Sequence, residues 1–302
     1  MLLSYLTTHK GDFKDLFRCI ISVQRDLRHA GIVDYEHLVF IDGDSLAIPF
    51  INSLDISNVI FIYSPINHGK AYCINKLISY AKGKYLFFLD SDDWNLLGRT
   101  SSQLHVLESS SNLIYGSNFL FWDGKNYFSD SNYPLDNLNI KLNFWRYPYI
   151  LYSSISVRKD VIVSNNLFFS EDLRAGLDYE FYSRAFSSLC VKNSKEPLVV
   201  YQVGSKNGIT SNPATRLSQL AVHKKIMASM LGLSLLEHNP LIDFLFDFVL
   251  GVDAKQVNQN IVQLSKSFLN SIECSDSNYP YFADVPRALL SNQLSSIMRA
   301  SL

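Results

Sequence analysis

The chain has 302 residues, a formal net charge of −1, and 27 Lys and Arg residues that form no long basic run. This charge balance excludes the basic surface that nucleic-acid binding requires, so we expect no nucleic-acid partner. The 4 cysteines lie far apart and form no C-x-x-C pair. That spacing favours reduced thiols in a cytoplasmic setting over a disulfide framework or a zinc cluster.

The chain shows no sign of a targeting or membrane-spanning segment. Residues 1–10 lack a basic n-region and a small-residue cleavage site, so we predict a first strand there and not a signal peptide. No apolar stretch reaches the roughly 18 residues that a membrane span requires. The apolar segment 241–252 is short and contains Asp243 and Asp247, so buried packing and an interfacial amphipathic face both fit it. We expect a cytoplasmic protein, at most peripheral at the inner face of the cell membrane.

The first third of the chain alternates between predicted strands and helices. Apolar runs predict strands over residues 2–8, 37–41, 59–63 and 85–89. Asp12 is expected to N-cap one helix, and a second helix is predicted over residues 70–82 with Gly83 at its C′ position. This β-α-β order predicts a parallel sheet with right-handed crossovers and with helices on both sides.

The pattern changes after Arg99. Strands are predicted over residues 113–122, 127–128, 150–157 and 197–202, and a helix over 179–189. The Asp123-Gly124 pair predicts a hairpin turn. Residues 129–150 show no clear periodicity and are predicted to form loops over a site. From residue 213 the chain is predicted to be mostly helical, which places the best candidate boundary in the 204–213 loop.

The most informative segment is residues 85–94, an apolar strand that ends in three carboxylates. Asp90 and Asp92 are two residues apart, so in a continuing strand both side chains leave on the same side. Carboxylates this close repel each other unless a cation lies between them, and Mg²⁺ and Mn²⁺ prefer carboxylate oxygens. For the motif alone, a solvated turn that caps the next helix is the alternative.

Polar residues end three of the predicted strands. Thr7 and Thr8 end the first strand, Asp42 follows the second, and Asp90 and Asp92 follow the fourth. Ligands of parallel α/β sheets bind at the carboxyl ends of the strands. The three strand ends therefore predict one binding site at a single edge of the sheet.

Two segments resemble the core of the family-2 glycosyltransferases with the GT-A fold. Residues 67–75 read N-H-G-K-A-Y-C-I-N, and residues 81–93 read A-K-G-K-Y-L-F-F-L-D-S-D-D. They are similar to the family's Gly-led helix with a helical Asn, its A-x-G-x-Y segment and its D-x-D-D strand end. The resemblance reaches residues 40–45 and 169–184 and spans about the first 210 residues. It implies an α/β GT-A fold, with a mostly parallel central sheet flanked by helices and a C-terminal helical extension.

The resemblance implies how the donor is held. Thr7 and His9 would flank the nucleobase, and Asp42 would accept a hydrogen bond from the uracil imide, which is a donor. Asp92 would ligate a divalent metal, Mn²⁺ or Mg²⁺, on the diphosphate. Asp90 would hold the ribose or a metal-bound water. The helical Asn is Asn75, and it is placed in the nucleotide-sugar site. For Asp42 alone a turn or cap is the alternative, and for Thr7 and His9 it is an ordinary strand end.

The resemblance also implies a general base. Residues 169–181 resemble the family's F-x-E-x-L-x-x-x-E-D segment, in which the Asp deprotonates the acceptor, and Asp178 falls at that position. A carboxylate near a helix N-terminus is kept ionised by the helix dipole. A plain helix N-cap is the alternative. Three neighbouring carboxylates are rivals for the role: Glu171, Asp172 and Glu180.

The chain departs from the family pattern at two functional positions. Leu177 replaces the usual acidic neighbour of the base, which affects how the acceptor is oriented. Ile74 stands where many members have an Arg, which removes one diphosphate contact. Lys70 is a candidate substitute for that contact, and a solvated lysine at a helix start is the alternative. The later Y-R and S-I-T signatures of the family are matched only faintly, at 201–202 and 209–210.

The resemblance predicts an inverting, metal-dependent glycosyltransferase that uses a nucleotide sugar, most simply a UDP-sugar. The acceptor would be a glycan or lipid-linked saccharide, as in bacterial surface polysaccharide (O-antigen or capsule) synthesis. Residues 1–212 would form the GT-A domain, with a nucleotide-sugar half (1–100) and an acceptor half (101–212), followed by the helical extension 213–302. A degenerate nucleotide-sugar-binding scaffold and a sugar-nucleotide nucleotidyltransferase are the alternatives. Six aromatic residues, through stacking or simple packing, suggest an acceptor wall: Trp122, Tyr127, Tyr133, Trp145, Tyr147 and Tyr149.

Overall fold

A computed structural model describes residues 1–44, 56–204, 213–231, 240–249 and 287–300, with the single positions 49, 51, 54 and 267. The strands are β1 Leu3–His9, β2 Tyr35–Asp42, β3 Val59–Ser64, β4 Tyr85–Phe88, β5 Trp94–Asn95, β6 Leu113–Trp122, β7 Tyr127–Asp130, β8 Ser156–Arg158 and β9 Cys190–Gln202. The helices are α1 Phe13–His29, α2 Lys70–Tyr80, α3 Arg99–Glu108, α4 Asn137–Asn143, α5 Lys159–Ser164, α6 Leu177–Ala185, α7 Pro213–Met230, α8 Pro240–Val249 and α9 Arg287–Ala300.

The strands form one mixed sheet in the order β3-β2-β1-β4-β8-β6-β9-β5, with β7 paired to β6. The pairs among β1, β2, β3 and β4 are all parallel, as the sequence pattern predicts. In the second half β8 runs antiparallel to both β4 and β6, whereas β6 and β9 are parallel. The expected α/β class is confirmed, and the parallel character is strongest in the first half.

Burial on both faces explains why the first strands read as continuous apolar runs. Every residue of β2 and β4 is buried. One side of the sheet packs against α1, whose Asp12 accepts a hydrogen bond from the Lys14 backbone N–H at 2.8 Å and caps the helix as predicted. Apolar residues of α2, including Ile74 and Leu77, join a core cluster with β4. The sheet is therefore covered on both sides in its first half.

Gly83 has a different role from the predicted helix cap. Helix α2 ends at Tyr80, and Gly83 lies beyond it without a positive φ. Its backbone N–H donates to the Ser4 hydroxyl at 2.9 Å, and a Cβ there would lie 2.4 Å from the Leu3 carbonyl carbon. The position requires glycine because the chain passes close to β1 at this point.

The second half departs from the prediction in four places. The 129–150 region contains a short helix, α4, which Asp136 caps. The predicted strand 150–157 is only partly correct: Tyr152–Ser154 is a 3₁₀ turn, and the paired strand there is β8. Helix α6 begins and ends earlier than predicted. Strand β9 begins seven residues before the predicted 197, because the irregular pairing of β6 beside Pro197 allows the strand to accommodate a proline.

The described C-terminal residues form α7, α8 and α9. The apolar side chains of α8, among them Leu241 and Leu245, are buried in the core cluster that includes Leu290 and Leu294 of α9. Buried packing is therefore the reading of 241–249 that the structure supports. No helix in the described ranges has both the length and the apolarity needed to cross a membrane. Most of the predicted 204–213 boundary and residues 250–252 lie outside the described residues, and the two-part division of the chain stays a prediction.

A buried neutral histidine makes the stability of this fold depend on pH. His37 is fully buried in β2, its Nε2 lies 2.9 Å from the Thr7 hydroxyl, and burial lowers the pKa of His37 to about 3. An unfolded histidine has a pKa of about 6.5. At pH values between the folded and the unfolded pKa, the imidazole binds a proton in the unfolded chain but not in the folded one. His37 is therefore expected to remove about 2 kcal/mol from the free energy of unfolding between pH 7 and pH 5.

Urea denaturation at pH 7 and pH 5 measures this loss. In His37→Gln the pH-dependent loss should shrink by about 2 kcal/mol, whereas His29→Gln, at an exposed position on α1, should keep the wild-type dependence. If the free energy of unfolding fell by the same amount between pH 7 and pH 5 in wild type and in His37→Gln, His37 would not be held neutral.

Candidate active site

A cleft of about 800 Å³ opens at the carboxyl ends of β1, β2 and β4. Thr8, Asp42 and the Asp90–Asp92 turn line it from these three strands, so the predicted convergence at one sheet edge is confirmed. Further lining comes from the aromatic segment around Tyr147 and from the segment that leads into α6. Helix α7 also contributes residues, so a described part of the predicted C-terminal extension faces the cleft.

The acidic turn after β4 holds three carboxylates whose oxygens lie within 4.8 Å of one another: Asp90, Asp92 and Asp93. Burial, followed by the nearby Asp90 carboxylate, raises the pKa of Asp92 to about 6. A divalent cation would relieve this repulsion, and carboxylate oxygens are the ligands that Mg²⁺ and Mn²⁺ prefer. The donor chemistry of Asp90 and Asp92 therefore fits a metal ion.

Asp93 connects separate parts of the fold, a role that the sequence analysis missed. It is fully buried, it accepts a hydrogen bond from the Ser153 hydroxyl, and it accepts another from the Gln202 backbone N–H at 2.9 Å. Burial, with Asp92 and Asp90 nearby, raises the pKa of Asp93 well above its usual range. Asp93 therefore ties the acidic turn to the 3₁₀ turn and to the end of β9, and it is placed to anchor the turn.

Lys70 lies in the cleft and pairs with Asp90. Its Nζ is 2.6 and 2.7 Å from the two Asp90 oxygens and 4.1 Å from the centre of the Tyr152 ring. Burial alone would lower the pKa of Lys70, but the Asp90 carboxylate, together with Asp178 and Asp92, raises it. Among the described residues, no lysine or arginine pairs with Asp92. Of the two predicted metal ligands, Asp92 is the one without a cationic partner there.

The first strand delivers Thr8 and His9 to the cleft, and not Thr7. Thr7 is fully buried under α1, where its hydroxyl contacts His37 and lies 3.9 Å from the Cys19 sulfur. Thr7 is therefore not placed to flank a nucleobase as expected, and Thr8, one residue nearer the strand end, lines the cleft instead.

His9 lines the cleft as expected. Its Nδ1 lies 2.9 Å from the Ser91 hydroxyl, and burial lowers the pKa of His9 to about 4, which keeps the imidazole neutral. Its buried Nε2 has no partner within the described part of the chain.

Asp42 shapes the turn before α2. One carboxylate oxygen accepts from the His68 backbone N–H at 2.7 Å, and the other accepts from the Gly69 N–H at 2.9 Å. Each oxygen keeps a second lone pair. Asp42 lines the cleft as predicted, and its contact with the nucleobase stays a prediction.

Asn75 lies outside the cleft lining, which corrects its assignment to the nucleotide-sugar site. Its side-chain amide donates to the Phe169 carbonyl and to a Glu171 carboxylate oxygen, each at 2.9 Å. Its Oδ1 accepts from the Phe169 backbone N–H at 2.9 Å. Asn75 therefore attaches the segment that precedes α6 to the middle of α2.

Replacement of Asn75 tests this attachment. Asn75→Ala leaves the backbone groups of buried Phe169 without these partners and should lower the free energy of unfolding by about 2 to 3 kcal/mol in urea denaturation. Asn75→Asp keeps the acceptor but places a carboxylate against the Phe169 carbonyl and Glu171, so it should destabilise the protein too. Asn165→Ala, at an exposed helix end, is the control and should cost less than about 1 kcal/mol. If Asn75→Ala had the same free energy of unfolding as wild type, Asn75 would not attach this segment to α2.

Asp178 lies at the start of α6 and lines the cleft. Burial raises the pKa of Asp178, and the positive charge of Lys70 opposes that rise. Its rivals are placed elsewhere: Glu171 is bound to Asn75, Glu180 pairs with Arg184 at 2.6 Å, and Asp172 is exposed. None of these three is part of the cleft lining. Asp178 remains the predicted base.

The six predicted wall aromatics separate into three groups. Tyr133 and Tyr147 line the cleft, and Tyr149 packs on both. Trp145 is fully buried, and its indole N–H lies 3.3 Å from the Gln293 side-chain oxygen, so it belongs to the core. Trp122 and Tyr127 pack together beside Trp94, outside the cleft lining. Residues that sequence analysis did not propose complete the cleft's aromatic side: Phe119, Phe121, Tyr152, Phe169 and Tyr201.

Comparison with known proteins adds to this geometry. The profile of the family described as "Glycosyl transferase family 2" matches residues 14–164. The chain is 24% identical over 164 residues to an uncharacterised glycosyltransferase of Methanocaldococcus jannaschii, covering 51% of this chain and 53% of that protein. It is 35% identical over 69 residues to the Escherichia coli UDP-Glc:alpha-D-GlcNAc-diphosphoundecaprenol beta-1,3-glucosyltransferase WfaP, covering 23% of this chain and 28% of WfaP. The chain thus spans about half, or less, of these relatives.

Solved structures of S. aureus TarS share the fold. The complex of TarS 1-349 with UDP-GlcNAc matches at a TM-score of 0.64 and 15% identity, covering 100% of this chain and 88% of that one. The complex with UDP matches at a TM-score of 0.58 and 14% identity, covering 99% and 91%. These similarities confirm the expected α/β GT-A fold.

Proposed function

From the premise that the chain belongs to glycosyl transferase family 2, we propose that it is an inverting glycosyltransferase that moves a sugar from a nucleotide sugar to a hydroxyl group. One observation carries the proposal. A single cleft brings together the carboxylates Asp90 and Asp92 at the strand ends and, from α6, the partly buried carboxylate Asp178. Such a site can hold a departing diphosphate on one side and accept a proton on the other.

Asp178 acts as the base of the proposed reaction. The acceptor oxygen attacks the anomeric carbon from the face opposite the diphosphate, and Asp178 takes the hydroxyl proton. The new bond joins the anomeric carbon to the acceptor oxygen, and the bond to the diphosphate oxygen breaks with its electron pair. A single displacement of this kind inverts the anomeric centre. The raised pKa of Asp178 suits a base because it strengthens proton affinity.

The donor side is assigned to the acidic turn. Asp92, with Asp90, would hold Mn²⁺ or Mg²⁺, which when bound supplies positive charge to stabilise the departing diphosphate. Lys70 keeps the Asp90 carboxylate oriented through its two short contacts. Asp93 anchors the acidic turn, and this keeps Asp92 in position to face the cleft.

A UDP-sugar is the proposed donor. TarS was solved with UDP-GlcNAc and with UDP, and the name of WfaP specifies UDP-Glc as its donor. For the acceptor, we propose a glycan or a lipid-linked saccharide, since the name of WfaP specifies a diphosphoundecaprenol-linked GlcNAc. Bacterial surface polysaccharide synthesis, with peripheral contact to the inner face of the membrane, is the proposed setting.

A catalytically inactive scaffold that binds a nucleotide sugar is the competing function. Leu177 favours it, because this buried apolar residue stands directly before Asp178, where the family has an acidic residue. A scaffold and an enzyme would bind the same donor and differ only in turnover.

The deciding experiment is a panel of UDP-sugars with Mn²⁺, measured by thermal stabilisation and by UDP release with and without saccharide acceptors. Ligands that bind the native state raise its apparent stability. Stabilisation together with acceptor-dependent UDP release supports the transferase. Stabilisation without release across the acceptor panel supports the scaffold, and the absence of both contradicts the proposed donor.

A further inference from the structure

We propose that Arg174 binds the terminal phosphate of the nucleoside diphosphate donor and connects the donor to the segment that carries the base. The inference rests on the proposed function above. It adds a binding residue from the acceptor side of the cleft, where the family resemblance assigned only the base.

Arg174 connects the segment before α6 to the turn before α2. It belongs to the segment between Phe169 and α6, yet its Nη1 donates a hydrogen bond to the His68 carbonyl at 2.7 Å. His68 lies in the turn before α2, which Asp42 fixes from the end of β2. The backbone of Arg174 therefore belongs to the segment that carries Asp178, while its guanidinium lies in the donor half of the site.

Gly69 makes room for this guanidinium. A Cβ at Gly69 would lie 2.1 Å from Arg174 Nη1, and the φ of Gly69 is 94°, a conformation that other residues rarely adopt. The charge thus rests against the amino end of α2, whose N-cap makes no side-chain hydrogen bond. Helix dipole and guanidinium carry the same sign at this point. The Asp42 carboxylate accepts from the Gly69 N–H but forms no ion pair with Arg174 among the described residues, so the guanidinium can take a further anion.

Arg174 is the cleft cation best placed for such an anion. Lys70 is paired with Asp90, and Lys10, which is exposed as Arg174 is, follows the end of β1 and does not lie on the segment that carries Asp178. Among the described residues, no carboxylate forms an ion pair with Arg174. A guanidinium has five N–H donors, and its planar fork matches two phosphate oxygens at once. Binding to His68 leaves most of these donors for a ligand.

Chain geometry selects the terminal phosphate over the first one. The anomeric carbon is bonded to an oxygen of the terminal phosphate, and the proposed base must lie close to that carbon. Arg174 precedes Asp178 by four residues, and Asn75 holds the start of the same segment in place. Of the two donor phosphates, the one bonded to the anomeric carbon through an oxygen is therefore the one expected to meet a residue on the segment that carries the base.

Titration calorimetry with UDP and with UMP in Mn²⁺ tests the proposal. Arg174→Gln should weaken UDP binding by about tenfold to a hundredfold, the effect of one charge-assisted phosphate contact. UMP lacks the terminal phosphate, so its affinity should change by less than about threefold. Arg174→Lys keeps the charge without the fork and should fall between wild type and Arg174→Gln. The control is Arg25→Gln, at an exposed position of α1 outside the cleft lining, which should bind UDP as wild type does.

Three results would overturn the inference. Unchanged UDP affinity in Arg174→Gln would show that the guanidinium does not hold the phosphate. An equal loss for UDP and UMP, with a lowered thermal midpoint, would show that Arg174 only supports the turn at His68. Wild-type protein that binds neither UDP nor UDP-sugars in Mn²⁺ would overturn the proposed donor as well, which separates that failure from the first two.

Discussion

Asp178→Asn is expected to lower kcat for glycosyl transfer by about 10²- to 10⁴-fold, the usual contribution of a positioned general base. Asparagine keeps the size of the side chain but cannot take the acceptor proton. Asp178 belongs to α6 and is not assigned a contact with the diphosphate, so UDP affinity should stay within about twofold of wild type. Initial rates of acceptor-dependent UDP release, with UDP affinity measured by calorimetry, separate the two effects.

Asp172→Asn is the matched control for Asp178→Asn. Asp172 precedes α6 on the same segment, but its side chain is exposed and does not line the cleft. Its replacement should leave kcat unchanged. If Asp178→Asn turned over at the wild-type rate with an unchanged pH profile, the base would have to be another group.

The Asp178 carboxylate should also make kcat decrease at low pH, which gives the pH–rate profile an acidic limb. Burial raises the pKa of Asp178 above that of an ordinary aspartate, although Lys70 opposes the rise. A base is active only when deprotonated, so kcat should fall as the pH is lowered through this raised pKa, at a higher pH than an exposed carboxylate would give. In Asp172→Asn, kcat should still decrease at low pH. In Asp178→Asn, the residual kcat should no longer show this decrease.

The parallel half of the fold could be predicted because its signals are local. Strands buried on both faces read as apolar runs, as in residues 85–88, and their polar ends must meet at one sheet edge. Asp42, Asp90, Asp92 and His9 reach the cleft for this reason. The second half was harder to predict. Tyr152–Ser154 lies within a segment predicted to be a strand, yet it forms a 3₁₀ turn, and the Ser153 hydroxyl bonds to the Asp90–Asp93 turn.

The predictions that failed concern residues whose partners are distant in the chain. Thr7 and Thr8 look alike in sequence, and only the position of α1 decides which of them is covered. Asn75 matches the family pattern, yet its amide is bound to Phe169, 94 residues away. No local pattern could have shown that Asp93 holds Gln202, at a separation of 109 residues. Such roles depend on tertiary contacts that composition and periodicity do not encode.

Asp92→Asn and Asp93→Asn are expected to differ in their effect on UDP binding, although the two residues are neighbours. The Asp92 carboxylate forms no ion pair with a lysine or arginine among the described residues, and burial and Asp90 raise its pKa to about 6. Replacement by a neutral amide removes that repulsion, so the ligand-free protein should be at least as stable as wild type. The same change removes a metal ligand and should weaken UDP binding in Mn²⁺ by about a hundredfold, the upper range for loss of a strong charged contact.

Asp93→Asn should instead leave UDP binding in Mn²⁺ close to wild type. An amide oxygen can still accept from the Gln202 N–H, and its NH₂ group can donate to the Ser153 hydroxyl, which accepts as readily as it donates. Asp93→Leu makes neither contact, leaves both partners unpaired in a buried site, and should lower the free energy of unfolding by about 2 to 4 kcal/mol. Calorimetry with UDP at fixed Mn²⁺ and urea denaturation without ligand measure the two effects separately. A Mn²⁺-dependent UDP affinity that survives Asp92→Asn but disappears in a fully folded Asp93→Asn protein would reverse the two assignments, because the metal would then depend on the buried carboxylate.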